Sequence, residues 1–173
     1  VPRQADRRAL EVAAGRGTAF KNLGQAQTYG LELGAALKAS YLSTFLPDLN
    51  LSYAFLRTRV NSGRVVSGIV AGNVAVDLEG NELPYAPRHT LSLGLAKQVG
   101  KRLRVRADMR YVDAVFTDFE NVALTFNRGD TGPVPSYAAV NASVDYRLGG
   151  RWTVFATAKN LLDKVYIGSR LHS

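Results

Sequence analysis

At 173 residues and 46% apolar content, the chain is long enough for an ordinary domain and has the composition of a folded protein. The absence of cysteine excludes a disulfide framework and thiol chemistry, and the formal charge of +8 is spread over arginines from Arg3 to Arg170. No compact basic tract with interleaved aromatics emerges, so nucleic acid is not an expected partner. No apolar run approaches the ~18 residues of a transmembrane helix, so a membrane location would require a β-barrel, the other architecture that satisfies its backbone in lipid.

The chain starts at Val1-Pro2-Arg3-Gln4, without an initiator Met or a signal-like leader, and reads as a fragment of a longer protein. Residues 1–28 carry no sustained period; Gly15, Gly17, Asn22 and Gly24 interrupt any helix, so a loop lead-in is expected. From Tyr29 the pattern turns period two. Tyr29, Leu31, Leu33, Ala35, Leu37 and Ala39 share one face, and Gly30, Glu32, Gly34, Ala36, Lys38 and Ser40 the other. After Pro47-Asp48 the alternation resumes through Leu49, Leu51, Tyr53 and Phe55, which predicts a hairpin with a short turn.

Residues 57–88 show no clear period and close on Leu83-Pro84-Tyr85-Ala86-Pro87-Arg88-His89; the two prolines argue for a large loop. A second hairpin follows. Leu91, Leu93 and Leu95 alternate with small residues, a turn passes through Gly100, and Leu103, Val105, Ala107, Met109 and Tyr111 alternate with Arg104, Arg106, Asp108 and Arg110. Beyond a second long loop, from 113 to 136, Ala138 to Arg147 and Trp152 to Lys159 form a third hairpin around Gly149-Gly150.

The expected fold is therefore all-β: about six antiparallel strands in three hairpins. Alternation alone does not separate a soluble β-rich binding module from a membrane barrel. Loop lengths do, because connections that alternate short and long match barrels with short periplasmic turns and long extracellular loops. In that setting Glu32, Arg104, Arg106, Asp108 and Arg110 face the lumen, and Tyr53, Tyr111, Tyr137, Tyr146, Trp152 and Tyr166 supply aromatic girdles.

No catalytic, cofactor or metal constellation stands out. His89 and His172 lack partners at ligand spacing and read as loop or rim residues, and neither a nucleophile elbow nor a phosphate loop is present. An enzyme is not expected, and neither is a cofactor. Recognition would fall to the loops, with Arg88, Asp118, Asn127 and Arg128 as candidate ligand-binding residues.

The segment Lys159-Asn160-Leu161-Leu162-Asp163-Lys164-Val165-Tyr166-Ile167-Gly168-Ser169-Arg170 resembles the penultimate-strand signature of TonB-dependent outer-membrane receptors. Asn22-Leu23-Gly24 before Tyr29-Gly30-Leu31-Glu32, Leu83 to Leu91, and Tyr111-Val112-Asp113 leading to Phe116-Thr117-Asp118 are similar to the same family's C-terminal barrel. The Pro-Tyr-Ala-Pro-Arg-His and Tyr-Ile-Gly-Ser-Arg combinations look closest to ferric dicitrate or siderophore receptors.

The resemblance implies a barrel of about 22 strands with a plugged lumen, in the outer membrane of a Gram-negative bacterium. Its partners would be outer-membrane lipid, an N-terminal plug, a ferric chelate ligand and the TonB complex, which drives uptake. Within this chain it implies a lead-in over residues 1–28 and a partial barrel over 29–173. Plug, TonB-contacting box and last strand are not recognisable in it. A passive porin-like barrel is the alternative.

Overall fold

The computed structural model describes residues 24–67, 74–125 and 132–170. Its strands are β1 (Gly24–Leu37), β2 (Asp48–Val66), β3 (Ala75–Asp77), β4 (His89–Val99), β5 (Leu103–Val112), β6 (Tyr137–Gly149) and β7 (Trp152–Ala158). All pair antiparallel in the order β1-β2-β4-β5-β6-β7, with β3 attached to the far end of β2. Each long strand neighbours the next in sequence, as in an up-and-down barrel wall. The sheet is open, since β1 and β7 are each paired on one side only.

Three expectations about boundaries change. The first strand starts at Gly24 rather than Tyr29, because Gly24 takes part in pairing instead of interrupting it. Its φ is +146°, and a Cβ there would sit 1.8 Å from the Ser62 carbonyl oxygen, next to the register shift between Gln25 and Ala26. The second strand runs on to Val66, so the predicted loop from 57 loses its first ten residues to a long hairpin arm.

The turn near Pro47 is longer than two or three residues. It spans 38–47 and holds a 3-10 turn at Ala39–Tyr41. Asp48 closes it: its Oδ1 accepts from the Ser40 hydroxyl at 2.6 Å and the Ser40 amide at 3.2 Å, and its Oδ2 pairs with Lys38 at 3.3 Å.

The register confirms the two faces strand by strand. One row joins Leu33, Tyr53, Leu91, Tyr111 and Ala138; two residues further along, another joins Ala35, Leu51, Leu93, Met109 and Val140. The intervening row joins Gly34, Ser52, Ser92, Arg110 and Ala139. One face is thus continuous Leu, Val, Ala and aromatic, and the other small, amide or charged. Lys97 falls on the apolar face at its lower edge, where its ammonium group reaches the carbonyls of Thr44 and Leu46 in the 38–47 turn.

The apolar face is not covered. Among the described residues the buried hydrophobics are Ala39, Val60, Leu78 and Val134, whereas Leu31, Leu33, Leu51, Leu95, Val144 and Val154 are exposed. A soluble sandwich buries its apolar faces against each other in a core about 10 Å thick. Here a single layer leaves an apolar surface far beyond the few hundred Å² that a soluble monomer exposes.

Aromatic residues mark both edges of that surface. Near one edge Tyr53 and Phe55 lie against His89, the Tyr53 hydroxyl is 2.8 Å from His89 Nδ1, and Tyr111 shares the row of Tyr53. Tyr137, expected in the same girdle, falls on the polar face by register, where it stacks on Tyr166 with centroids 4.4 Å apart. Near the other lie Tyr146 and Trp152. From Ala138, opposite Tyr111, to Tyr146 the chain climbs about 27 Å at ~3.4 Å per residue. Tilted by ~40°, that is a height of about 21 Å, close to the ~25 Å apolar band of an outer-membrane barrel.

Candidate functional site

Two surfaces carry the polar groups: the polar face of the sheet, and the loops beyond the ends of β2, β4, β5 and β6.

On the polar face, β5 and β6 satisfy part of each other's charge. Arg106 Nη2 donates to Asp145 Oδ2 at 2.6 Å, and Asn141 Nδ2 donates to Asp108 Oδ2 at 2.7 Å. The first pair is roughly half-exposed, a setting in which ion pairs contribute about 1 kcal/mol or less. Arg104, Arg110 and Glu32, also expected on this face, occupy it by register and make no ion pair among the described residues. Between Glu32 and Arg110 the wall is low: Gly34, Ala36, Asn50, Ser52, Ser92 and Gly94 line an open groove whose far bank is Asp108 and Arg110.

The loops are joined to one another. Asn121 reaches across to residue 82 with both ends of its amide: Oδ1 accepts from the Glu82 N–H at 2.6 Å, and Nδ2 donates to the Glu82 carbonyl at 2.9 Å. Its φ of +53° is a left-handed conformation that asparagine tolerates better than most side chains. Asn81 Nδ2 donates to the Phe119 carbonyl at 2.8 Å, Ser67 Oγ to Glu120 Oε2 at 2.7 Å, and the Tyr85 amide to the Phe116 carbonyl at 2.9 Å.

The segment after β7 joins the same assembly. The Tyr85 hydroxyl donates to the Arg170 carbonyl at 2.7 Å, and the Arg170 guanidinium donates to the Pro133 carbonyl at 3.2 Å. Below them, the polar-face side chains Thr58 and Val60 of β2 are buried, with the Thr58 hydroxyl accepting from the Leu83 amide at 2.9 Å.

This network brings together two of the four candidate ligand-binding residues. Arg88 is bonded to the Glu82 carboxylate, and Glu82 is held by Asn121. Asn121 in turn donates to the Asp118 carbonyl, while Asp118 Oδ1 accepts from the Val122 amide at 3.2 Å. The bond to Glu82, reinforced by its negative charge and by nearby Asp113, raises the Arg88 pKa above its ordinary value, so the guanidinium stays cationic throughout the physiological range. Asp118 Oδ2 is buried without a hydrogen-bond partner. Asn127 and Arg128 lie outside the described residues.

The signature segment is built around Asn160. At φ +53° it leaves the line of β7, and its carbonyl accepts from the Asp163 amide at 2.9 Å to close a tight turn. Its side chain spans that turn, accepting from the Lys164 amide at 3.2 Å and donating to the Lys164 carbonyl at 3.1 Å. Asn141 Oδ1 accepts from the Asn160 amide at 3.0 Å, and the Val140 carbonyl from the Leu161 amide at 2.8 Å, which ties the turn to β6. The Asn-Leu-Leu-Asp pattern is therefore a strand-terminating device.

Residues 4–161 match the family described as TonB dependent receptor-like, beta-barrel. The chain belongs to this family. Among solved structures, it is similar to the siderophore receptor PiuA from Acinetobacter baumannii, with 24% identity over 94% of this chain and 21% of that one, at a TM-score of 0.67. The ferric citrate transporter FecA in its unliganded form aligns at 22% identity over 90% of this chain and 22% of its own, with a TM-score of 0.70. The ferric yersiniabactin uptake receptor FyuA from Yersinia pestis aligns at 18% identity over 86% and 20%, with a TM-score of 0.64. No curated protein matches the chain significantly. The chain spans about a fifth of the length of these solved receptors, and the likeness to them is one of fold.

The TonB-dependent receptor barrel accounts for the missing core. A wall segment of such a barrel needs no second sheet, because its apolar face meets lipid and its edges meet further strands.

Proposed function

We propose that this chain forms part of the wall and outer loops of an outer-membrane receptor that takes up a ferric chelate, a siderophore or ferric citrate, with energy delivered by TonB. The observation that carries the reading is the uncovered apolar face between two aromatic edges, backed by a charged face on the same strands. Family membership and the names of the three similar receptors support the transport role. The outer membrane of a Gram-negative bacterium is the location that follows.

In this reading the polar face looks into the lumen. Arg106 and Asp108 already have partners on β6, so Arg104, Arg110 and Glu32 remain to meet a plug domain. The groove of small residues between them gives a plug room to approach the wall closely. The stitched loops would hold Arg88 and Asp118 at the outer rim for contact with the chelate, together with Asn127 and Arg128. The residues before Gly24 would supply the connection into β1, and the barrel portion would begin at Gly24 rather than at residue 29. None of these roles requires catalysis by the chain, and no enzymatic activity is proposed.

The test is uptake. A strain lacking the receptor that carries this segment should lose growth on one ferric chelate and regain it on complementation. Unchanged growth on every ferric chelate would overturn the ligand class. Loss of uptake on removing the energy-transducing complex separates a gated receptor from a passive pore.

A further inference from the structure

Beyond its aromatic edge, the apolar face changes character on β1 and β2. The register sets Tyr29 opposite Arg57 and Gln27 opposite Arg59, directly following the pair of Leu31 and Phe55 on the same face. Arg57 and Arg59 are exposed, while Thr58 between them and Val60 beyond them point to the other face and are buried. Neither arginine makes an ion pair or side-chain hydrogen bond among the described residues. Arg64, further up the strand, lies 3.9 Å from Asp77 and is partly compensated.

Height identifies what meets these two side chains. Counting from Phe55, Arg57 lies about 7 Å and Arg59 about 14 Å along the strand. With the strand tilted by ~40°, they stand about 5 and 10 Å above the aromatic edge. A lipid headgroup layer occupies roughly 5–8 Å on each side of the hydrocarbon. Arg57 thus stands within the headgroup layer and Arg59 about 2 Å above it, within reach of its own long side chain. Both are unpaired among the described residues, lie opposite Tyr29 and Gln27, and point outward. Arginine's planar fork fits phosphate oxygens in pairs.

We propose that this outward patch, centred on Arg57 and Arg59, binds the phosphate groups of anionic lipids in the outer leaflet around the receptor. The occupant is lipid rather than a soluble anion because the patch continues the lipid-facing surface and opens sideways, away from the lumen and the loop assembly. Its effect would be to fix the height and rotation of this side of the barrel in the membrane. The inference rests on the outward orientation proposed above. A receptor that folds without detergent or bilayer defeats that orientation, whereas a bilayer-embedded receptor indifferent to lipid charge defeats this assignment alone.

The experiment measures phosphatidylglycerol and phosphatidylcholine binding to the full receptor carrying this segment, in detergent micelles, by native mass spectrometry. Each arginine at the surface should contribute about fivefold in affinity for the anionic lipid, so R57Q/R59Q should bind phosphatidylglycerol about 30-fold more weakly. R57K/R59K should retain most of the affinity, and phosphatidylcholine binding should not change. Raising sodium chloride should weaken phosphatidylglycerol binding to the unaltered receptor. Should the double variant not fold, R59Q and the salt titration decide. Unchanged phosphatidylglycerol binding in R57Q/R59Q or R59Q, or salt-independent binding, would overturn the proposal. Inorganic phosphate displacing the lipid at equal concentration would assign the patch to a soluble anion and overturn it too.

Discussion

The wall formed by β4, β5 and β6 and the loop assembly above it are held by different forces. In the wall, backbone ladders do most of the work, and the side chains serve mainly to choose which face meets which solvent. Leu95, Ala107 and Ala142 lie in one row without being buried, because in a membrane their partner is lipid. In the loops, side-chain amides and hydroxyls supply the connections: Asn121 to Glu82, Asn81 to Phe119 and Tyr85 to Arg170. The wall should therefore tolerate polar changes on one face only, and the loops should be sensitive to single polar deletions.

The largest expected effect comes from placing a charge on the wrong face of the wall. Ala107 lies midway along β5 on the apolar side, and Ala107→Arg should destabilise the bilayer-embedded receptor by ~2–4 kcal/mol. Urea unfolding from vesicles measures it, and a cost near zero would break the proposed division between the faces. The loops come next. Asn121→Ala removes both bonds to Glu82 and one to Asp118, at ~0.5–1.5 kcal/mol each, so a loss of about 2 kcal/mol is expected. It should appear as faster amide exchange over residues 78–88, with the wall unchanged; slower or equal exchange would mean that the loops are not coupled through this amide.

A smaller effect separates backbone from side chain at the signature turn. Asn160→Ala should be worse than Asn160→Gly by ~1–2 kcal/mol, since glycine accepts the left-handed conformation and alanine does not. Identical thermal stabilities would show that φ is not what selects asparagine there. The smallest effect belongs to the polar face: Arg106→Leu removes a half-exposed pair with Asp145, and its stability cost should stay below about 1 kcal/mol. A cost as large as that of Ala107→Arg would erase the contrast between faces.

The wall was largely legible because the information for a strand is local. Alternation from Leu91 to Tyr111 and from Ala138 to Arg147 predicts pairing, and the register places those residues on the expected faces. The rim position of His89 was legible too, though its bond to Tyr53 depends on a cross-strand contact that alternation does not encode. Failures occur where glycine or side-chain chemistry overrides the period. Gly24 reads as a break but serves a bulge. The arm from Arg57 to Val66 loses its alternation because its polar-face side chains Thr58 and Val60 are buried against the loop at 78–83 while its other face carries Arg57 and Arg59.

The loop assembly was scarcely legible. Asn121, Glu82 and Asp118 stand out as polar loop residues, but the bonds among them join segments tens of residues apart. Tyr85, at φ +54°, gives no local sign that it will meet Arg170. The joining of Arg88 to Asp118 through Glu82 and Asn121 is thus a product of the fold rather than of either loop's sequence.

The central claim, that odd-numbered residues of β5 face lipid and even-numbered residues face the lumen, can be measured directly. These 173 residues contain no cysteine to compete with introduced ones, and any elsewhere in the full receptor is first replaced by serine. Single cysteines from position 103 to 110 in the full receptor, spin-labelled in vesicles, report collision with oxygen dissolved in lipid and with a water-soluble nickel chelate. The account predicts high oxygen contact at 103, 105, 107 and 109 and high nickel contact at 104, 106, 108 and 110. Equal nickel contact at both sets, or the reverse alternation, would contradict it.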